Sequence, residues 1–270
     1  MKTYRKALTI AGSDSGGGAG IQADLKTFSA LGCYGMTVIT ALTAQNTVGV
    51  TGIQAVPPEF IALQMDAVMT DIGADAVKIG MLHSPEVIQT VAECLQKYDC
   101  SSIVLDPVMV TRNGDKLLQD DAVQALKEYL FPMATVITPN LAEASILLGR
   151  EVKELPQMAA ACEDLAAQGC DRVFLKGGAL AGNSSVDFLY EQKSGEVLEL
   201  ESPRVDTMNS HGTGCTISSA ITACLAKGMD LSAAVREAKK YIDGALQGGA
   251  DMKIGAGHGP VHHFHNWWNN

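Results

Sequence analysis

The chain has little of what marks several specialised classes of protein. Only 5% of its 270 residues are aromatic, and 20 lysines and arginines face 30 aspartates and glutamates, a formal net charge of −10. This charge, with no local basic patch, argues against nucleic acid and anionic membrane surfaces as partners. No apolar run is long enough for a membrane span, and the run after Lys2, Arg5 and Lys6 is too short for a secretory signal.

The cysteines point to a reducing compartment. They are odd in number and form no C-x-x-C pair, so we expect reduced thiols in a cytoplasmic protein; the seven are Cys33, Cys94, Cys100, Cys162, Cys170, Cys215 and Cys224. The 47% hydrophobic content against 19% charge predicts a folded chain with a sizeable core. Because aromatics are scarce, aliphatic residues must fill that core, as in helices packed on a parallel sheet.

Short β-branched runs alternate with helical patterns, which is typical of βαβ units and a parallel sheet. We predict parallel strands at 7–12, 36–44, 76–80, 103–106, 136–138 and 172–176. Helices are predicted at 20–31, from Pro58, and at 85–98, 121–130, 141–148, 157–167, 214–226 and 231–247. The glycine-interrupted segment 48–56 predicts a small flap, and 186–190 with 197–201 an antiparallel pair at a sheet edge. No linker or repeat appears, so we predict a single α/β domain over 1–270.

Ligands of open α/β sheets bind beyond the carboxyl ends of the strands. The loop 12–20, G-S-D-S-G-G-G-A-G, follows the first strand and opens a helix, where bare N–H groups can approach an anion or a planar ring. It lacks the G-K-S/T ending of a P-loop, and its spacing does not match G-x-G-x-x-G, which disfavours a dinucleotide-binding oxidoreductase. A tight glycine turn without a ligand is the alternative.

A second loop, N-S-H-G-T-G-C-T at 209–216, lies directly before an apolar helix. Gly212 and Gly214 let the backbone curl, so that the N–H groups of residues 212–215, Thr213 included, could converge on one oxyanion at the positive helix end. Cys215 sits in the first turn, where we expect the pKa of a thiol to fall, and a thiolate could accept a proton from an attacking alcohol. A buried, inert cysteine is the alternative.

These motifs together resemble the ribokinase superfamily. The residues that carry the resemblance are G-T-G-C at 212–215, A-G-S-D-S-G-G-G-A-G-I-Q-A-D at 11–24, D-P-V-M-V at 106–110, T-P-N-L-A-E at 138–143 and K-G-G at 176–178. Within the superfamily the chain is similar to the hydroxymethylpyrimidine and phosphomethylpyrimidine kinases of thiamine biosynthesis, as is its tail at 257–264. The resemblance implies a three-layer α/β/α fold, ATP and Mg²⁺ as cofactors, and a homodimer.

Phosphoryl transfer requires in-line positioning and neutralisation of negative charge. Lys176, at a strand end, can place a point charge on the triphosphate. Asn140 and Glu143 by resemblance form an N-x-x-E element that organises Mg²⁺, although the same spacing is that of a helix capping box. Asp106 closes an apolar strand, where a carboxylate needs a cation or donors, and we expect it to assist with magnesium or phosphate. The N–H groups of the 212–215 turn could matter more than the Cys215 thiol.

For the acceptor, Gln45 ends the second strand. Its amide offers a donor beside an acceptor, which matches the amino group and ring nitrogen of a 4-aminopyrimidine, unless it is an ordinary strand-end amide. Asp24 by resemblance also faces the substrate, with a solvated helix face as the alternative. Met81 and Val108 could flank the ring or belong to the core, and Gly12 completes the predicted substrate site.

The six histidines give a weaker signal. His211 in the second glycine loop could contact phosphate or bond the loop backbone. The four in the tail, with no ordered spacing beyond His-His-x-His, indicate a surface or interface tail rather than a metal site; they are His258, His262, His263 and His265.

The sequence therefore predicts an ATP- and Mg²⁺-dependent kinase. Its expected substrates are the hydroxymethyl group of 4-amino-5-hydroxymethyl-2-methylpyrimidine and, by resemblance, the resulting monophosphate. A pyridoxine or pyridoxal kinase of the same superfamily is the nearest alternative. From other classes come a dinucleotide-binding oxidoreductase and a catalytically silent pyrimidine-binding protein.

Overall fold

A computed structural model describes residues 2–109 and 121–268. Within them the strands form one sheet in the order β3-β2-β1-β4-β5-β6-β7-β8-β9, in which the pairings are parallel except β2 with β3, β7 with β8 and β8 with β9. The strands are β1 (Lys6–Asp14), β2 (Tyr34–Gln45), β3 (Val50–Ala55), β4 (Ala76–Ile79), β5 (Ile103–Leu105), β6 (Val136–Ile137), β7 (Arg172–Lys176), β8 (Ser184–Glu191) and β9 (Glu196–Pro203).

The helices cover both faces of this sheet. They are α1 (Gly20–Ala30), α2 (Pro58–Asp71), α3 (Pro85–Lys97), α4 (Ala122–Ala125), α5 (Leu141–Leu148), α6 (Leu155–Ala166), α7 (Thr213–Ala226) and α8 (Leu231–Gly249). Helices α2 to α6 share one core with one side of the strands, whereas α1, α7 and α8 pack on the other side. Strand alternation divides the two cores, since Ile103 and Leu105 join the first and Val104 the second. The predicted three-layer α/β/α architecture is confirmed.

Helix α7 lies at the centre of its layer, in contact with both α1 and α8 and with the sheet. Every residue from Thr216 to Cys224 is buried, so no face of this stretch meets solvent. Small residues are needed for such close packing, and their buried hydroxyl groups are hydrogen-bonded; Thr222, for example, donates to the Ser218 carbonyl oxygen at 2.9 Å, and Ser219 donates to Asp24 at 2.6 Å. The packing fixes the start of α7 relative to the strand ends.

Two of the predicted segments differ in detail from the observed structure. The predicted flap at 48–56 contains β3, an edge strand that pairs antiparallel with the end of β2, with Ala41 opposite Ala55. The predicted helix 121–130 begins as α4 but continues as a π-helical turn over Leu126–Leu130. Val110, the last residue of the D-P-V-M-V motif, lies outside the described residues. Among the residues described, no helix combines the length and apolar character that crossing a bilayer requires.

Candidate active site

The carboxyl ends of the parallel strands open into one cleft of about 720 Å³. Gln45 lies in its lining together with the start of α7, so the two halves of the predicted site face the same space. Asp24, predicted to face the substrate, is not in the lining. The other predicted site residues are all present there: Gly12, Met81, Val108, Asp106, Asn140, Glu143, Lys176, Gly212, Thr213, Gly214 and Cys215.

The glycine-rich loop after β1 folds back on its own carboxylate. Asp14, 3% exposed, accepts hydrogen bonds from the amides of Gly16 (2.8 Å), Gly18 (3.0 Å) and Ala19 (2.8 Å). His211 Nε2 lies 2.9 Å from the same carboxylate. Burial opposes ionisation, but these hydrogen bonds hold the pKa of Asp14 below its usual value. These three amides bind Asp14, so they do not form the predicted anion or ring site, and a dinucleotide pyrophosphate finds no free cradle among them.

The second glycine loop begins α7 without a side-chain cap. Gly212 is the N-cap with φ of 80°, and a Cβ at this position would lie 1.9 Å from the Gly18 carbonyl oxygen. Only glycine satisfies both the backbone angle and the contact between the two loops. The N–H groups of a first helical turn have no intrahelical partner, so this helix end can bind an anion in the cleft.

Cys215 lies in that first turn and is partly exposed. Burial of its thiol raises the pKa to about 11, and the nearby Asp24 and Asp106 carboxylates act in the same direction, against the opposing influence of Lys78. The expectation that the helix end lowers this pKa is therefore wrong. Burial of the thiol outweighs the charge of Lys78 and the hydrogen bond with the Gly20 backbone, which act in the opposite direction, so the thiol is protonated at neutral pH.

Asp106 and Lys176 form an ion pair across the floor of the cleft, with 2.7 Å between Lys176 Nζ and Asp106 Oδ1. Thr138 and Ser218 each donate to the Asp106 carboxylate at 3.1 Å. Burial lowers the pKa of Lys176 less than Asp106 and Glu143 raise it, so the amine stays charged. A Cβ on Gly214 would lie 3.3 Å from Lys176 Nζ, which places the ammonium group beside the start of α7.

Asn140 and Glu143 do form a capping box. The Asn140 side chain accepts from the Glu143 amide, and the Glu143 carboxylate accepts from the Asn140 amide, both at 2.9 Å. Burial, reinforced by the charge of Asp106, raises the pKa of Glu143 to about 7 despite the proximity of Lys176. Two buried carboxylates thus share one ammonium group, a donor set that a cation would stabilise. The capping role does not exclude the metal role.

Asp24 is a buried ion-pair partner and does not reach the substrate cleft. Its carboxylate lies 3.0 Å from Lys78 Nζ, both side chains are 0% exposed, and Thr9 and Ser219 each donate to it at 2.6 Å. Burial lowers the pKa of Lys78 less than the Asp24 charge raises it, so the pair is ionic. Lys78, which lines the cleft, is a functional candidate that the sequence reasoning missed. A lysine within the apolar strand A-V-K-I is unusual, and this is the sequence signal that could have identified Lys78 as a candidate.

Gln45 is held by its backbone, because the Ser15 hydroxyl bonds its carbonyl oxygen (2.7 Å) and its amide (2.8 Å). Its side-chain oxygen accepts from Thr43, and its side-chain nitrogen lies 3.5 Å from His211 Nε2. His211 thus contacts both Asp14 and Gln45. Nearby, Met81 is 7% exposed and packs against Ala41 and Val108, which gives the cleft an apolar wall beside the amide.

The histidine-rich tail packs into the fold. The amide of His258, which lines the cleft, donates to the Thr47 carbonyl oxygen at 3.0 Å. His263 is 4% exposed and lies 3.0 Å from the Thr216 hydroxyl. The expectation of a surface tail is therefore wrong for His263, whereas His258 is partly exposed. The tail ties the loop after β2 to the start of α7. Within 2–109 and 121–268, no group of three or more histidine, cysteine or acidic side chains could hold a metal by itself.

A three-layer fold that brings an open helix start, a lysine and two buried carboxylates into one cleft has the parts of a small-molecule kinase. Solved structures agree. An ADP complex of Bacillus subtilis pyridoxal kinase is 39% identical with a TM-score of 0.91, over 99% of this chain and 100% of that one. Phosphomethylpyrimidine kinase from Clostridium difficile is 44% identical with a TM-score of 0.77, over 89% and 99%.

The family is shown by sequence. The protein-family model described as phosphomethylpyrimidine kinase matches residues 14–262. A hydroxymethylpyrimidine/phosphomethylpyrimidine kinase from Rhizobium meliloti is 51% identical over 263 residues, which cover 97% of this chain and 98% of that protein. The chain belongs to the phosphomethylpyrimidine kinase family. The resemblance drawn from its motifs is confirmed.

Proposed function

We propose that this chain transfers the terminal phosphoryl group of ATP to the hydroxymethyl group of 4-amino-5-hydroxymethyl-2-methylpyrimidine, and then phosphorylates the resulting monophosphate. The single observation that carries this proposal is that Gln45 and the start of α7 line the same cleft. One end of the cleft suits an aminated ring and the other suits transferring phosphate. Family membership supports the same reaction.

The phosphate-donor half lies around Lys176 and α7. The Lys176 ammonium group stays charged beside Gly214, and the first-turn amides of α7 point their positive ends at the same space. Negative charge that develops on the transferring group would be stabilised by both. The solved ADP complex of the Bacillus subtilis relative supports a nucleotide as the donor.

Asp106 and Glu143 are the residues that would hold Mg²⁺. Magnesium in kinases is bound by one or two carboxylates together with substrate phosphates, so a two-carboxylate set suffices. The raised pKa of Glu143, caused by burial and by Asp106, reflects a shortage of positive charge that a divalent cation would relieve. The ion would neutralise charge on the phosphates.

The acceptor half of the cleft holds the ring, and the reaction there needs little general-base catalysis. The Gln45 amide would pair with the amino group and ring nitrogen, while Met81 and Val108 provide an apolar wall. Cys215 is a thiol with a pKa of about 11, so it is a weak base in its resting state. We infer that the hydroxyl proton leaves late, after the phosphoryl group has begun to transfer, and passes to an oxygen of that group. The N–H groups of residues 212–215 then carry most of the stabilisation.

Coupled ADP-release kinetics test these roles, first with the pyrimidine alcohol and then with its monophosphate as acceptor. Because Cys215→Ala keeps the main-chain N–H groups of residues 212–215, it should lower kcat only modestly and leave KM unchanged, whereas Gln45→Ala should mainly impair use of the pyrimidine. A large loss of kcat in Cys215→Ala, or pyrimidine use near wild type in Gln45→Ala, would overturn the role assignments. Binding of the pyrimidine with no ADP release would identify a silent binding protein instead.

Pyridoxal phosphorylation is the second candidate, favoured by the likeness to Bacillus subtilis pyridoxal kinase. A pyridine alcohol lacks the amino group and adjacent ring nitrogen that the Gln45 amide matches. The ratio of kcat/KM for the two alcohols separates the candidates. Dominant pyridoxal activity would reverse the choice.

We also propose that residues 1–270 form a single domain that acts as a cytoplasmic homodimer. One sheet runs through the described residues, and β3 and β9 leave its two edges unpaired within them. Light scattering coupled to size-exclusion chromatography tests the dimer. A monomer at micromolar concentration would contradict it.

A further inference from the structure

Arg204 follows β9 and binds the loop between β7 and β8 through its whole side chain. Its guanidinium group donates to four main-chain carbonyl oxygens at 2.5–3.0 Å, those of Gly178, Leu180, Gly182 and Ser184. The Arg204 amide donates to a fifth, that of Asn183, at 2.8 Å. The four side-chain acceptors alternate along the chain, so the loop winds around the guanidinium group.

This loop has little else to hold it. Most residues of 178–183 are exposed, and of this segment Leu180 packs against the hydrophobic core. Its other anchors lie at its start, where Leu180 donates to the Gly177 carbonyl oxygen (2.9 Å) and the Gly177 amide donates to Asp187 (2.8 Å). An exposed segment with so few contacts is ordinarily low in local stability. Its conformation here depends on Arg204.

Arginine suits this task and lysine does not. A guanidinium group presents five N–H donors in a rigid planar fork, whereas an ammonium group is a compact point charge with three. Within the described residues, no carboxylate lies at ion-pair distance from Arg204, and all the ion pairs found there join other side chains. Among the described residues, its protein partners are therefore main-chain carbonyl oxygens.

The loop directly follows Lys176 and borders the cleft. Gly178, Ala179 and Arg204 all lie in the lining, and Gly178 comes two residues after Lys176, which closes β7 in the same cleft. We propose that Arg204 is a positioning residue that shapes the 178–183 loop into the wall of the phosphate-donor half, and so sets affinity for the nucleotide and not for the pyrimidine. This inference rests on the proposed kinase function, which assigns the nucleotide to that half.

The test compares Arg204→Gln and Arg204→Lys with wild type. Loss of one or more charge-assisted hydrogen bonds should raise KM for ATP about tenfold or more while KM for the pyrimidine stays within about twofold. Arg204→Lys should not rescue, because it restores the charge without the fork. Amide hydrogen exchange should speed up in 178–184 and stay unchanged in the strands.

Arg172→Gln is the matched control. It removes an arginine from the opposite end of β7, where Arg172 pairs with Glu191 at 2.8 Å on a partly exposed surface, and it should leave both KM values unchanged. Full rescue by lysine, equal rises in the two KM values, or unchanged exchange in 178–184 would each overturn the proposal. Absence of ADP release by wild type would instead refute the kinase function, and the exchange measurement would still report whether Arg204 orders the loop.

Discussion

Substitution of Lys78 by methionine is expected to destabilise the fold more than any surface change could. The variant keeps the length of the side chain and its fit in β4 but removes the ammonium group that faces Asp24 at 3.0 Å. Both side chains are 0% exposed, so the Asp24 carboxylate would remain in the interior without its cation. The reverse variant, Asp24→Asn, leaves the cation without its carboxylate.

Breaking a buried pair by removing one partner costs about 3–5 kcal/mol. The Thr9 and Ser219 hydroxyl groups still donate to Asp24 at 2.6 Å, which places Lys78→Met near the lower end of that range. With an unfolding entropy of about 2.1 cal/mol/K per residue, a loss of 3–5 kcal/mol lowers Tm by roughly 5–9 °C for a chain of this length. The double variant Asp24→Asn/Lys78→Met leaves no unpaired charge at these two positions, and it should recover about 2 kcal/mol relative to the sum of the singles.

Urea unfolding of the four proteins, followed by circular dichroism, measures these free energies. Lys97→Met provides the control, since it breaks an exposed ion pair with Asp66 and should change stability far less than Lys78→Met does. Additive losses in the double variant, or a Lys78→Met loss no larger than that of the control, would refute the account of Asp24 and Lys78 as a structural ion pair.

Three further predictions follow from the loops around α7. Gly212→Ala should cost clearly more than the roughly 1–2 kcal/mol of left-handed strain expected for Gly228→Ala, because φ is 80° and 85° but only the Gly212 Cβ meets backbone, and equal losses in urea would contradict this. Burial opposes the ionisation of Asp14, but hydrogen bonds from His211 and loop amides lower its pKa; the stability advantage of wild type over Asp14→Asn should therefore be full above about pH 4 and fade as pH falls through the lowered pKa, and a constant difference in urea unfolding would be evidence against it. Alkylation at Cys215, mapped by peptide mass spectrometry, should rise with pH up to about pH 11, whereas a midpoint below pH 8 would refute the protonated thiol.

Much of the fold could be predicted because its signals are local. Most strands of the parallel sheet are short apolar runs followed by a helical pattern, and Asn140, Lys176 and Cys215 each lie at a strand end or at a helix start. Since parallel strands end at one edge, their convergence on one cleft follows from topology alone. The capping box could likewise be predicted, because Asn140 and Glu143 are three residues apart at a helix start.

What could not be predicted depends on contacts between distant segments. The partner of Asp24 is 54 residues away, and no local pattern says that the helix presents this carboxylate to a lysine in a buried strand. The thiol of Cys215 shows the same limit, because the helix end is visible in sequence but the burial that raises its pKa is not. In the first glycine loop, Asp14 followed by serine and glycines is a turn signal of its own, which explains why the amides turn inward.

The most direct test of the central claim is a competition reaction. ATP and Mg²⁺ are supplied with equal concentrations of the 4-aminopyrimidine alcohol and pyridoxal, and the phosphorylated products are measured by mass spectrometry for wild type and Gln45→Ala. If Gln45 and the start of α7 hold ring and phosphoryl group in one cleft, wild type should phosphorylate the pyrimidine in excess, and Gln45→Ala should lose that preference. Excess pyridoxal phosphate from wild type, or an unchanged product ratio in Gln45→Ala, would contradict it.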